Sequence, residues 1–120
     1  MSCSPYGISL AVHSDKRREM KNFIAQVDPD LCDLIPEFLE HKRSDTLTIL
    51  SGISGEHVDF EALFRIAHKL KGEGGSYGFD VISLYGAEIE RASLGHDAEA
   101  IRHYANELAA YLDSVQIRYE

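Results

Sequence analysis

A chain of 120 residues with a formal net charge of −8 is long enough to bury one hydrophobic core without help from metals or disulfides. The excess of acid leaves no basic stripe to track phosphates, which excludes nucleic acid as a partner. The two cysteines, Cys3 and Cys32, stand in no metal or redox spacing, and so few thiols fit a reduced, cytoplasmic setting.

No stretch approaches the ~20 apolar residues of a membrane span, and the N-terminus lacks the basic-then-apolar pattern of a signal peptide. From Met1 to about Asp15 there is little periodicity, and the segment reads as a loosely packed arm. Ser14 and Asp15 suit the cap of a short helix from Lys16 to Val27, with Met20, Phe23, Ile24 and Val27 on one face. Residues 1–27 thus read as an arm with a short helix, and residues 28–120 as the main domain.

Asp28-Pro29 opens that domain, the aspartate as a cap and the proline at a first helical position. Leu31, Leu34, Ile35, Phe38 and Leu39 follow at helical spacing, continued by Thr46, Ile49, Leu50 and Ile53. Pro36 interrupts the pattern, so a short helix is expected to end before it and a longer one to begin. Ser51-Gly52-Ile53-Ser54-Gly55 closes that element, and Asp59 caps the next.

The third apolar run is Phe60, Leu63, Phe64, Ala67 and Leu70. On a wheel of about 100° per residue, Phe60, Leu63, Ala67, Leu70 and Gly74 share one side and Lys69 points away. His68 falls on the flank, at the edge of solvent, with Phe64 and Arg65 one turn before it and Lys71 and Gly72 one turn after. A lone histidine in such a pattern is most often plain surface structure. The glycines argue otherwise, because Gly72 weakens a helix by roughly 1 kcal/mol against alanine and asks for a reason. Gly72 and Gly75 bare the strip beside the ring, and Lys71 brings an ammonium to the same side. This arrangement suits an imidazole nucleophile that takes up a phosphoryl group. Phe64 and Arg65 read equally well as contacts for a docked partner or as a core ring and a solvated charge. Gly74 lies on the core side, where close helix packing explains it, and Gly78 serves the following turn with a positive φ.

Asp80 reads as the next cap, and Val81, Leu84, Tyr85, Ile89 and Ala92 mark a helix that stops at Gly95. Asp97 opens a last helix striped by Ile101, Tyr104, Ala105, Leu108, Tyr111, Leu112 and Val115. Nothing reads as a strand. The fold expected is all-α, an up-and-down antiparallel four-helix bundle with an additional short N-terminal helix or arm. Glu88, Glu90, Glu99 and Glu107 read as a solvated face. His13, His41, His57, His96 and His103 form no pair at helical spacing, so no metal site is expected. No strand-then-helix glycine loop is present to hold ATP.

The run Ala67-His68-Lys69-Leu70-Lys71-Gly72, with Gly75 and Gly78 beyond it, resembles the signature of histidine-containing phosphotransfer (HPt) domains. In that family a phosphorylated histidine is followed by lysine at three, glycine at four and glycine at ten residues on. The likeness extends from about Val27 to about Leu112, through Val27-Asp28-Pro29-Asp30-Leu31 at one end and Ile89-Glu90-Arg91-Ala92 further on. Glu73 departs from the small residue more usual there, but it lies about 140° around the helix from His68.

The resemblance implies a phosphorelay intermediate. His68 would take the group from a receiver's aspartyl phosphate through Nε2 and pass it to a second receiver. Lys71 would offset its charge, and Phe64, Arg65, Gly72 and Gly75 would meet the partner. The implied partners are receiver domains of response regulators and hybrid histidine kinases. No cofactor is expected on this chain, Mg²⁺ coming with the receiver. The chain would be a cytoplasmic monomer and a phosphotransfer protein rather than a self-sufficient kinase, and its initial methionine favours a free-standing protein. Two other readings stand beside this one. In the dimerising phosphoacceptor domain of a histidine kinase an acidic residue usually follows the histidine, where this chain has Lys69. A non-catalytic adaptor would have no use for His68, Lys71 and Gly72 together.

Overall fold

The computed structural model describes residues 24–119. In chain order these form strand β1 (Ile24–Val27), a short 3-10 helix (Pro29–Leu31), α1 (Ile35–Gly52), α2 (Phe60–Ser76), α3 (Asp80–Leu94), α4 (Ala98–Ser114) and strand β2 (Gln116–Tyr119). The helices pack in the cyclic order α1, α2, α3, α4, closing the expected four-helix bundle. No helix among the described residues is long and apolar enough to cross a membrane.

Most helix starts follow from a side chain that satisfies an otherwise orphaned amide. Asp28 accepts from the amide of Asp30 at 2.9 Å, Asp59 from Ala62 at 3.1 Å and Asp97 from Ala100 at 3.1 Å. Pro36 sits in the first turn of α1, where its missing N–H costs nothing. Asp80, expected as a cap, is instead the first residue of α3, and Phe79 holds the cap position without a side-chain bond. The reason lies in the preceding turn. Phe79 donates its amide to the carbonyl of Gly74 at 2.8 Å and is fully buried, so the chain is already committed one residue earlier. Gly78 makes this turn possible with φ +92°.

Two expectations fail at the edges of the bundle. Ile24–Val27, read as the end of a helix, is a strand paired in parallel with Gln116–Tyr119, and the chain therefore contains strands after all. Ala25 and Val27 are buried and Ile24 is 49% exposed, so a period of two prevails over the helical one. The partner that satisfies this backbone comes from the far end of the chain, which local periodicity does not reveal. Residues 16–23 of the expected helix and the arm before them lie outside the described residues. Cys32 is disulfide-bonded, which corrects the expectation of reduced thiols; Cys3 lies outside the described residues.

The core is built from fully buried Ile49, Leu70, Phe79, Ile82, Ile89, Ile101 and Leu108, each contributing about 1.5–3 kcal/mol by leaving water. Leu34 and Leu84, placed on the apolar stripes by their spacing, are instead 49% and 66% exposed. Leu84 follows Ile82 by about 200° around α3, which turns it outward. Arg43 ties α1 to α4 by donating to the carbonyl of Leu112 at 3.1 Å, and Tyr85 ties α3 to α4 through Glu107 at 3.3 Å.

Between α1 and α2 lies a buried lysine. Lys42 is 2% exposed, donates to Glu73 of α2, stands 3.4 Å from Asp45 and lies over the Phe38 ring at 5.4 Å. Lys69 adds a further contact to Asp45 at 3.7 Å. Glu73, the residue at odds with the sequence signature, is therefore the counter-charge of an otherwise costly ammonium. A cleft of about 380 Å³ opens beside this pair, lined in part by Glu37, His41, Ser76 and Tyr77. It lies on the flank of α2 that faces α1. Glu73→Ala is expected to destabilise the bundle by about 2 kcal/mol by stranding Lys42. Lys42→Met combined with Glu73→Ala should recover most of that loss. Urea unfolding of the three proteins checks both expectations, and additive losses in the double variant would contradict the pairing.

Candidate functional site

His68 lies on the flank of α2 that faces α3, with its side chain 66% exposed. The position follows from how closely the two helices approach. A Cβ added to Gly86 of α3 would stand 2.5 Å from the amide nitrogen of Lys71, and one added to Gly74 of α2 would stand 2.6 Å from that of Ser83. Only glycine permits either contact. Ser83 Oγ then donates to the carbonyl of Lys71 at 2.7 Å, fixing α2 against α3 along the length of the chain.

In that register one carboxylate reaches both polar groups of the predicted site. Glu90 Oε2 lies 2.7 Å from His68 Nδ1, and Glu90 Oε1 accepts from Lys71 Nζ at 2.9 Å. The hydrogen bond from Lys71, and then that from His68, hold the Glu90 carboxyl below its ordinary range, so it is ionised at neutral pH. An ionised carboxylate only accepts hydrogen bonds, so the proton between the two groups belongs to Nδ1. A neutral ring in this position carries its lone pair on Nε2. Glu90 was read from sequence as part of a solvated face, and that reading is wrong: its side chain is 13% exposed. The signal that would have found it is the α3 face carrying Ser83, Gly86 and Glu90, which meets the His68 flank of α2 once the glycines set the register.

The other predicted residues divide by location. The Phe64 ring stacks on His68 with centroids 5.9 Å apart. Arg65 is exposed and pairs with Glu61 at 3.4 Å. A Cβ on Gly72 would meet nothing within 4 Å, so the fold itself gives no reason for glycine there. Gly75 is exposed, with Ser83 Oγ 3.5 Å from its would-be Cβ, an ordinary contact. Gly78 belongs to the turn and not to the site, since its Cβ would stand 2.7 Å from the carbonyl oxygen of Gln26 in β1. No group of three or more potential metal ligands occurs among the described residues.

The sequence model of the Hpt domain matches residues 23–116, which include the whole bundle and this site. The chain belongs to the Hpt domain family. Hpt domains carry out histidine phosphotransfer in two-component phosphorelays and interact there with receiver domains. No curated protein and no solved structure matches the chain.

Substitutions should separate the glycines of this Hpt domain. Gly72→Ala is expected to stabilise it by up to about 1 kcal/mol through helix propensity. Gly86→Ala should destabilise it by about 2 kcal/mol or more through overpacking. Thermal denaturation gives both signs. The Glu90 contact should also respond to pH. A carboxyl whose pKa is depressed by folding stabilises the fold at pH values above its unfolded value, near 4.5, and loses that contribution as pH falls through the folded value. The stability gap between the wild type and Glu90→Gln should therefore be full at pH 7 and narrow below about pH 4.5, read from urea midpoints at each pH.

Proposed function

We propose that His68 is the phosphoacceptor, taking a phosphoryl group from the aspartyl phosphate of one receiver domain and passing it to the aspartate of another. The observation that carries this reading is the contact between Glu90 and His68 Nδ1, because a proton held on Nδ1 leaves Nε2 as the nucleophile. The Nε2 lone pair attacks phosphorus while the P–O bond to the donor aspartate breaks, and the carboxylate leaves with the electron pair. Little else is asked of the protein beyond positioning and charge. Lys71 Nζ, on the same carboxylate as the ring, is the cation that offsets phosphoryl charge. Mg²⁺ is supplied by the receiver.

The partner docks on the flank formed by Phe64, Arg65, Gly72 and Gly75, with adjoining residues of α1 and α3. Gly72 supports this assignment, since clearance for another molecule is the one use left for a helix-weakening residue in open space. Leu94, 70% exposed and one turn after Glu90 on α3, extends the same flank. The domain acts as a monomer in the cytoplasm, where receivers are phosphorylated at the expense of ATP.

Incubation with a phosphorylated receiver is expected to label the wild type and leave His68→Gln unlabelled. The label should be stable in base and lost in acid, as an N–P bond is. Lys71→Ala should keep the label but slow its transfer about tenfold, corresponding to roughly 1.4 kcal/mol of lost charge stabilisation. Label on His68→Gln would move the phosphoacceptor to another residue.

A further inference from the structure

Glu90 holds more than the orientation of the ring. Building on the phosphoacceptor role of His68, we propose that Glu90 is a positioning residue that sets how readily the phosphohistidine gives up its phosphoryl group, by keeping the proton on Nδ1 through the whole cycle.

The argument is one of bonds and charges. In the resting site Nδ1 bears hydrogen and Glu90 Oε2 accepts it at 2.7 Å. When Nε2 forms its bond to phosphorus, the ring keeps that hydrogen and becomes an imidazolium. Its positive charge then faces the Glu90 carboxylate. On transfer, an oxygen of the acceptor aspartate attacks phosphorus, the N–P bond breaks, and the electron pair returns to Nε2. The leaving group is neutral imidazole, and no proton has moved in either direction. If the Nδ1 proton were lost to water between the two steps, the leaving group would be imidazolate, a far poorer one.

A carboxylate within hydrogen-bonding distance of a cation favours the charged form, commonly by one to three pKa units for a close pair. Glu90 therefore extends the pH range over which the phosphorylated ring stays protonated. Its own carboxyl is held below the ordinary range by Lys71 and His68, so it stays ionised throughout. The charged groups around the ring are few. Lys71 is on α2 and shares the same carboxylate, Arg65 is one turn away and pairs with Glu61, and Glu88 and Arg91 on α3 pair with each other at 3.0 Å. Lys69 turns to Asp45 of α1 on the other flank. Among the described residues, Glu90 is the carboxylate that contacts the imidazole.

The test uses the small-molecule donor phosphoramidate to load wild type and Glu90→Gln, which removes any dependence on finding the right receiver. ³¹P NMR then follows loss of the phosphoryl group from pH 5 to 9. The glutamine keeps the shape and a hydrogen-bonding oxygen but not the charge. The expected result is equal rates near pH 5, where solvent protonates both rings. Above neutrality Glu90→Gln should lose its phosphoryl group about tenfold more slowly, its profile displaced by about one pH unit to lower pH. Superposable profiles, or a gap that is the same at every pH, would overturn the assignment to Glu90 while leaving His68 as phosphoacceptor. Failure of the wild type to load at His68 would overturn both.

Discussion

The arrangement depends on the contact between α2 and α3, where two glycines allow backbone to meet backbone. Gly74 makes room for the amide of Ser83, and Gly86 makes room for the amide of Lys71. Side chains of ordinary size would hold the helices further apart and leave their relative shift along the axis less defined. With that shift fixed, and locked by the bond from Ser83 Oγ to the Lys71 carbonyl, Glu90 arrives beside both His68 and Lys71. The polar constellation is thus a consequence of apolar packing. It survives at an exposed edge because it is set by rigid helices and not by the flexible ends of side chains.

Helix α2 uses its two flanks differently. The flank toward α3 presents His68 and Lys71 to solvent on a single carboxylate. The flank toward α1 carries Glu73 and Lys69, which neutralise the buried Lys42 and the partly buried Asp45. Both flanks use acid–base pairs, but burial gives them different consequences. At the α1 side the charges are withdrawn from water, so removing one partner strands the other. At the α3 side the ring is open to an incoming molecule, and the exposed pair adds only modestly to cohesion. One helix thereby serves as a strut on one flank and leaves an open polar face on the other.

The turn after α2 connects this arrangement to the ends of the domain. Gly78 adopts φ +92° so that Phe79 can close the helix end, and it also lies against the carbonyl of Gln26 in β1. The small parallel sheet joins the segment before the bundle to the segment after it. The second helix end of this kind, after α3, places His96 rather than glycine at a positive φ of 54° and stacks it on Phe60 with centroids 4.5 Å apart. A ring contact there accompanies a conformation that glycine would adopt without strain.

Helix number, helix type and the place of His68 at the edge of an apolar stripe were legible in the residues, because each is fixed within a few turns of chain. Asp28, Asp59 and Asp97 cap as their identities require, Pro36 begins a helix, and Gly78 takes the positive φ. The spacing of His68, Lys71, Gly72 and Gly78 was enough to suggest the family. What the chain did not reveal locally were the partners contributed from elsewhere. β1 is a strand because β2, some ninety residues later, accepts and donates its hydrogen bonds. Lys42 is buried because Glu73 meets it, Leu84 is exposed because no neighbouring helix covers its face, and Glu90 belongs to the site because Gly74 and Gly86 set its height against His68. Periodicity assigns a residue to a face of its own helix; which residue stands opposite depends on the shift between helices, and only packing decides that.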